Sequence, residues 1–188
     1  MRESTSPSPI LKRATLRLAK PEDAPAIAAL GASVFTTTFG YSLPPADLEA
    51  YLLSSYSIPS ITADLTNPTI TTLVAISPSD HHIVGFSQLN RSSTEPAITE
   101  LSCPNPVELQ RLYVDPSFHG GGVGKMLVEA IEKLAKEEGY ETLWLGVWEE
   151  NFKAHGFYGR CGLEKCGFHD FKMGECVQRD WIMKKFIM

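Results

Sequence analysis

Hydrophobic positions recur along the chain with two periods, one of two residues and one of three to four. In TLRLA at 15–19, Leu16 and Leu18 alternate with polar neighbours, which predicts a short strand. Pro21, Glu22 and Asp23 then open a predicted helix that carries AIAALGASVF to about Thr38. Proline suits a first helical turn, and the two acids complement the positive end of the helix dipole. Leu48, Tyr51 and Leu52 stand at helical spacing and predict a second helix over 47–56, with a third short one at 59–65. Runs at 69–77 and 83–90, separated by the turn-like SPSDHH, read as strands. Residues 91–106 hold three prolines and little periodicity, and are expected to form a mobile surface loop.

VELQRLYVD at 107–115 reads as a strand ending at Pro116, and 122–138 as a helix stopped by Gly139. TLWLGV (142–147) is a strand, followed by a helix near 151–161 and two last strands at about 163–171 and 177–187. The order β-ααα-βββ-α-β-α-ββ predicts an α/β chain with a mixed sheet. Residues 1–12 are rich in Ser and Pro and read as a flexible tail, leaving a single domain over 13–188 without an internal repeat.

Composition narrows the function classes. The chain has 188 residues, 43% of them hydrophobic, enough for one full core. A net charge of -5 argues against nucleic acid as a partner, for which a basic face is the usual footprint, and is compatible with a cationic small molecule. No apolar run approaches the roughly 20 residues needed to span a bilayer, and no apolar signal region opens the chain, so no membrane association and a cytoplasmic location are expected. Cys103, Cys161, Cys166 and Cys176 form no CxxC pair. Cys161, Cys166, His169 and Cys176 match no usual zinc spacing, so free thiols and no metal are expected.

The candidate chemistry lies in FHGGGVGKML at 118–127. Glycine costs roughly 1 kcal/mol relative to Ala inside a helix, yet Gly120, Gly121, Gly122 and Gly124 cluster where a strongly helical stretch begins. A strand, a Gly-rich turn and a helix N-terminus together make an anion site, because unpaired N–H groups and the helix dipole point at the ligand. The pattern GxxxxGK[ST] fails twice, at His119 and at Met126. The dinucleotide pattern GxGxxG fails too, meeting Lys125 or Leu127 where it needs glycine.

The run His119-Gly120-Gly121-Gly122-Val123-Gly124 after LQRLYVDPSF resembles the acetyl-CoA loop of the GNAT acetyltransferases, [QR]-x-x-G-x-[GA]. Asn151, Ala154, Phe157 and Tyr158, then Gly162 and Leu163, resemble the second motif of that family. His119 departs from the usual Gln or Arg, and Leu163 replaces Phe. WLGVWEENFKA, MGECVQRDWIMKK and TTFGYSLPPADLEAYL are further similar to the PaiA-like branch, polyamine acetyltransferases acting on spermidine and spermine.

The resemblance implies a GNAT fold, with a mostly antiparallel sheet splayed at the fourth strand by a β-bulge. It implies acetyl-CoA as cosubstrate and direct attack of a primary amine on the thioester. By the same resemblance, the backbone of Leu112, Tyr113 and Val114 takes the pantetheine arm. His119, Gly120, Gly121, Gly122, Val123, Gly124 and Lys125 surround the diphosphate, and Lys153 and Arg160 are candidate phosphate contacts. Asn151 either contacts pantetheine or caps its helix. Tyr158 is the candidate proton donor to the leaving thiolate, with core packing as its alternative.

Glu108 matches the base of the histone-acetylating branch, and could equally anchor a cation or lie solvated. Period-two alternation places Glu108, Gln110, Leu112 and Val114 on one face. Acidic candidates for a polyamine groove are Asp47, Glu49, Glu149, Glu150, Asp170 and Glu175, with Tyr41 and Trp148 available for cation–π contact. Acetylation of another amine, or a weakly catalytic acetyl-CoA-binding regulator, are the alternative functions. A homodimer is a possible assembly.

Overall fold

The computed structural model describes residues 14–174 and 176–188, so the tail read at 1–12 and the candidate Glu175 lie outside the described residues. One seven-stranded sheet organises the chain: β1 Thr15–Leu18, β2 Ile70–Ile76, β3 Ile83–Asn90, β4 Pro106–Val114, β5 Thr142–Trp148, β6 Glu164–Met173 and β7 Cys176–Phe186. Their spatial order is β1-β2-β3-β4-β5-β7-β6. All neighbours are antiparallel except β4 and β5, which run parallel. Helices α1 Ala24–Phe39, α2 Pro45–Tyr56, α3 Ile58–Thr66, α4 Pro96–Glu100, α5 Val123–Glu137 and α6 Phe152–Arg160 cover it.

Two cores flank the sheet. On one face α1, the end of α2 and α3 bury Ile27, Phe35, Tyr56 and Ile61 against Val74 and Phe86. On the other, α5 and α6 lie over Val107, Leu109, Leu143, Leu145 and Met183, with Val128, Ile131 and Ala135 supplying the helix side. Each large side chain so buried contributes about 1.5–3 kcal/mol relative to exposure. The α5 pattern works because Val123, Leu127, Val128, Ile131 and Ala135 form one stripe at helical spacing.

Two expectations are corrected. Pro21–Asp23 forms a 3-10 turn, and α1 begins only at Ala24. Asp23 does not act as a free charge at the helix end. It is buried, pairs with Arg17 at 2.6 Å and accepts the Lys20 N–H at 2.7 Å. Segment 91–106, expected as a mobile loop, instead contains α4. Its Ile98 is buried against Trp144 and Ile182. The Glu95 carboxylate caps α4 by accepting the Ala97 N–H at 3.0 Å. A single apolar anchor in a five-residue helix leaves no period to read.

The parallel pair creates the opening that matters. β4 and β5 are in register only at Pro106–Glu108 against Thr142–Trp144. From Leu109 onward the two strands separate, while β4 stays paired with β3 as far as Val114. A sheet interrupted in this way exposes backbone N–H and C=O groups inside the molecule, and these need partners.

Candidate active site

The register of β4 shows which groups face the opening. Asp115 N–H donates to Val84 O at 2.9 Å, and antiparallel pairs alternate between bonded and non-bonded types. Tyr113 opposite Phe86 is therefore a bonded pair, whereas Leu112 opposite Ser87 and Val114 opposite Gly85 are non-bonded. The N–H and C=O groups of Leu112 and Val114 consequently turn towards the gap, and those of Tyr113 towards β3. An extended amide-bearing chain laid in the gap would pair with them as an added strand does.

A bulge on β4 changes its faces. Leu89 pairs with Leu109 and Gln88 with Arg111, so Gln110 is the extra residue. The expected alternation of Glu108, Gln110, Leu112 and Val114 on one face is thereby corrected. Leu112 and Val114 pack with the α5-side cores, as Val107 and Leu109 do, while Tyr113 packs with the α1–α3 side. Glu108 and Arg111 share that second side with Tyr113. One inserted residue thus keeps a single hydrophobic face running through a change of phase.

The Gly-rich turn lies where β4 ends. Gly120 and Gly122 have φ of 78° and 82°, the left-handed region that L side chains resist, and a Cβ at either would point into open space. The first bond within α5 runs from Met126 N–H to Gly122 O at 3.0 Å, so the amides of Val123, Gly124 and Lys125 point out of the helix end. Gly121 N–H is taken by Phe118 O at 3.3 Å. The Val123 side chain is buried, leaving only its amide for a ligand. Gly124 admits the Phe157 ring, whose Cζ would lie 3.3 Å from a Cβ there. Lys125 is exposed and pairs with Glu129 at 3.6 Å. His119 reaches back, its Nε2 3.0 Å from Val114 O. With bare amides, the positive end of α5 and no side chain over the turn, the residues fit a diphosphate.

From α6, Tyr158 packs against the Val107–Leu109–Val147 core. Burial raises its phenol pKa well above the ordinary value, and the neighbouring Tyr113 adds to the effect. Tyr158 is therefore protonated at neutral pH, the state a proton donor needs. Asn151 caps α6, its Oδ1 accepting the Ala154 N–H at 3.2 Å. Lys153 and Arg160 are exposed.

On the opposite side of the sheet the gap opens among acidic and aromatic groups. Burial raises the pKa of the Glu108 carboxyl, against the opposing influence of Ser93 and His169. Asp180 on β7 is raised to about 6, again chiefly by burial, with His169 opposing and Glu149 adding. His169 on β6 lies with Nδ1 2.7 Å from Glu95 Oε2 and Nε2 3.9 Å from Asp180 Oδ2. Trp148 is buried beneath Phe39 and Tyr41, with ring centroids 5.6 and 6.0 Å away. Of the acidic candidates read from sequence, Glu49, Glu150 and Asp170 are exposed, Asp47 is half-buried, and Glu149 lies in electrostatic reach of Asp180.

Sequence reasoning missed Glu95, Asp180 and Arg111, and considered His169 only as a zinc ligand. Arg111 donates to Asp64 at 2.5 Å and to Gln88 at 2.9 Å, beneath the bulge, and stacks over Tyr56 at 5.2 Å. Tyr56 and Tyr113 share a hydrogen bond of 2.6 Å. These contacts hold the bulged strand from below. Their partners lie 47 and 57 residues apart, so no local signal pairs them.

Among the described residues, no group of three or more His, Cys, Asp or Glu side chains is arranged to hold a metal, and no helix is long and apolar enough to cross a membrane. The model of the Acetyltransferase (GNAT) family matches residues 39–163. An uncharacterised N-acetyltransferase in the pepI 3′ region of Lactobacillus delbrueckii subsp. lactis is 30% identical over 167 residues, 89% of this chain and 94% of the relative. An uncharacterised N-acetyltransferase of Mycobacterium tuberculosis is 28% identical over 86% of this chain and 96% of its own length. Among solved structures, the PaiA N-acetyltransferase of Thermoplasma acidophilum in complex with coenzyme A superposes with a TM-score of 0.69 at 23% identity, covering 92% of this chain and 98% of that one. The ribosomal-protein-S18-alanine N-acetyltransferase of Escherichia coli gives 0.65 at 16% identity, over 93% and 94% of the two chains. The splayed β4–β5 pair, the glycine turn and these matches lead to one assignment: the chain is an enzyme of the acetyltransferase (GNAT) family, with that family's fold.

Proposed function

We propose that this N-acetyltransferase transfers the acetyl group of acetyl-CoA to a primary amine of a small, multiply cationic acceptor such as spermidine or spermine. The observation that carries the reading is the acceptor side of the gap, where Glu108, Asp180 and Glu149 gather with Trp148 and Tyr41 beside them. Carboxylates held in partly buried surroundings favour an ammonium partner, and aromatic faces add about 0.5–2 kcal/mol per cation. The similarity of WLGVWEENFKA and its companion segments to the PaiA-like branch supports the same acceptor class.

Acetyl-CoA supplies the activated thioester. The N–H and C=O groups of Leu112 and Val114 orient its arm, and the turn from His119 to Lys125 holds the diphosphate. Tyr158, kept protonated by burial, gives a proton to the departing sulfur, while Glu108 places negative charge beside the attacking nitrogen. Thiol release from acetyl-CoA over a panel of amines tests the reading. Spermidine, spermine and diamines should outpace amino acids and neutral amines, and release no faster with polyamines than without amine would refute it.

A further inference from the structure

Resting on the amine-acetylation reading, we infer that His169, oriented by Glu95, is the base that takes a proton from the acceptor ammonium, while Asp180 and Glu108 hold that ammonium. Glu95 is only 5% exposed, and both its oxygens are committed. Oε1 caps α4 through Ala97 N–H at 3.0 Å, and Oε2 accepts from His169 Nδ1 at 2.7 Å. The approach of α4 to β6 depends on Gly167, where a Cβ would lie 2.6 Å from that of Ala97. With Nδ1–H donating to a fixed carboxylate, the neutral ring presents its lone pair at Nε2.

That lone pair faces Asp180 Oδ2 across 3.9 Å, beyond hydrogen-bond distance. Two acceptors so placed call for a donor between them, and an ammonium supplies three N–H groups and the matching charge. Room for it comes from Gly146, the one exposed residue of β5, two positions past the last residue that β4 pairs with. A Cβ there would meet Asp180 Oδ2 at 3.5 Å and His169 Cε1 at 3.8 Å, ordinary contacts, so packing does not demand glycine. A strand glycine that packing does not require leaves the backbone open to close approach of a ligand. The charged groups that face the imidazole are Glu95, Asp180 and Glu108; Glu149 lies in reach of Asp180, and Arg111 is already paired to Asp64.

The proton balance closes. One ammonium proton passes to Nε2, and the freed lone pair forms the C–N bond as the C–S bond breaks. The sulfur leaves with the electron pair of the broken C–S bond and takes a proton from Tyr158. The nitrogen's surplus proton returns to the phenolate, and His169 releases its proton to water, giving the amide, the thiol and one proton. An imidazole suits this task near neutral pH better than a carboxylate does.

Thiol release with spermidine from pH 6 to 9.5 tests the assignment. His169→Gln should lower kcat at pH 7 about 100-fold or more, leave KM for acetyl-CoA unchanged, and lose most of its deficit near pH 9.5, where free amine (pKa about 10) becomes abundant. Glu95→Gln, which keeps an oxygen for the α4 cap, should cost about tenfold and move the acidic limb to lower pH. Glu108→Gln should raise KM for spermidine without moving that limb. A wild-type rate and limb in His169→Gln, or a limb lost only in Glu108→Gln, overturns the assignment. Imidazole nitrogen chemical shifts judge the dyad without any substrate. The Nδ1–H tautomer is expected in the wild type and its loss in Glu95→Gln, whereas an Nε2–H ring in the wild type refutes it. Should no amine be acetylated, the amine reading falls, and the tautomer alone decides the dyad.

Discussion

His119 Nε2 lies 3.0 Å from the carbonyl oxygen of Val114, so the Gly-rich turn is tied to the very strand edge that lines the β4–β5 gap. The residue that departs from the family pattern thus acts as a strap between the Gly-rich turn and the end of β4, the two parts proposed to hold acetyl-CoA. His119→Ala should weaken acetyl-CoA binding about fivefold by calorimetry, the worth of one hydrogen bond of about 1 kcal/mol. His119→Gln, which retains a donor, should recover part of it. An unchanged Kd in the alanine variant would mean that the strap does not shape the site.

Tyr158→Phe separates chemistry from packing. Removing only the hydroxyl keeps the ring against Val107 and Leu109, so acetyl-CoA affinity and melting temperature should hold. Turnover should fall about 10–100-fold if the phenol protonates the leaving sulfur. A parallel loss of affinity and turnover would make the residue structural.

Asp180 links the acceptor face to stability. Its folded-state pKa of about 6 stands above the ordinary aspartate value of 3.8, so between those pH values the folded chain binds more protons than the unfolded one. Its contribution therefore weakens stability as pH rises through about 4 to 6, and stays at its full cost above 6. Asp180→Asn should be more stable than the wild type at pH 7 by up to about 3 kcal/mol in urea unfolding. The advantage should shrink towards zero near pH 4. The same substitution should raise KM for spermidine, since the proposed ammonium site loses one of its charges.

Arg111 anchors the bulge from beneath. Arg111→Met leaves Asp64 without its partner in a partly buried setting and should destabilise the fold by about 3 kcal/mol. The double variant Arg111→Met with Asp64→Leu should regain part of that loss, since it removes both charges. Equal stability of the single and double variants would show that the pair is not coupled.

The sequence carries the parts of this molecule that obey a local period. The α5 stripe from Val123 to Ala135, the strands and the Gly120–Gly124 turn are all of that kind. What it hides depends on tertiary position. The bulge at Gln110 breaks the alternation that would group Glu108 with Leu112, because β3 decides the register. Glu95 and His169 are 74 residues apart and meet only because a five-residue helix folds over β6. Asp180 reads as one surface acid among many until β7 is inserted between β5 and β6.

On the proposed reading, one opening in the sheet brings a thioester to an acidic, aromatic acceptor face. A crystal structure with coenzyme A and spermidine measures this directly. The account predicts the diphosphate on the amides of residues 122–125, the pantetheine arm along Leu112 and Val114, and a spermidine ammonium between His169 and Asp180 above Gly146. Coenzyme A lying outside the β4–β5 gap, or the amine held on a surface away from Glu108 and Asp180, would contradict it.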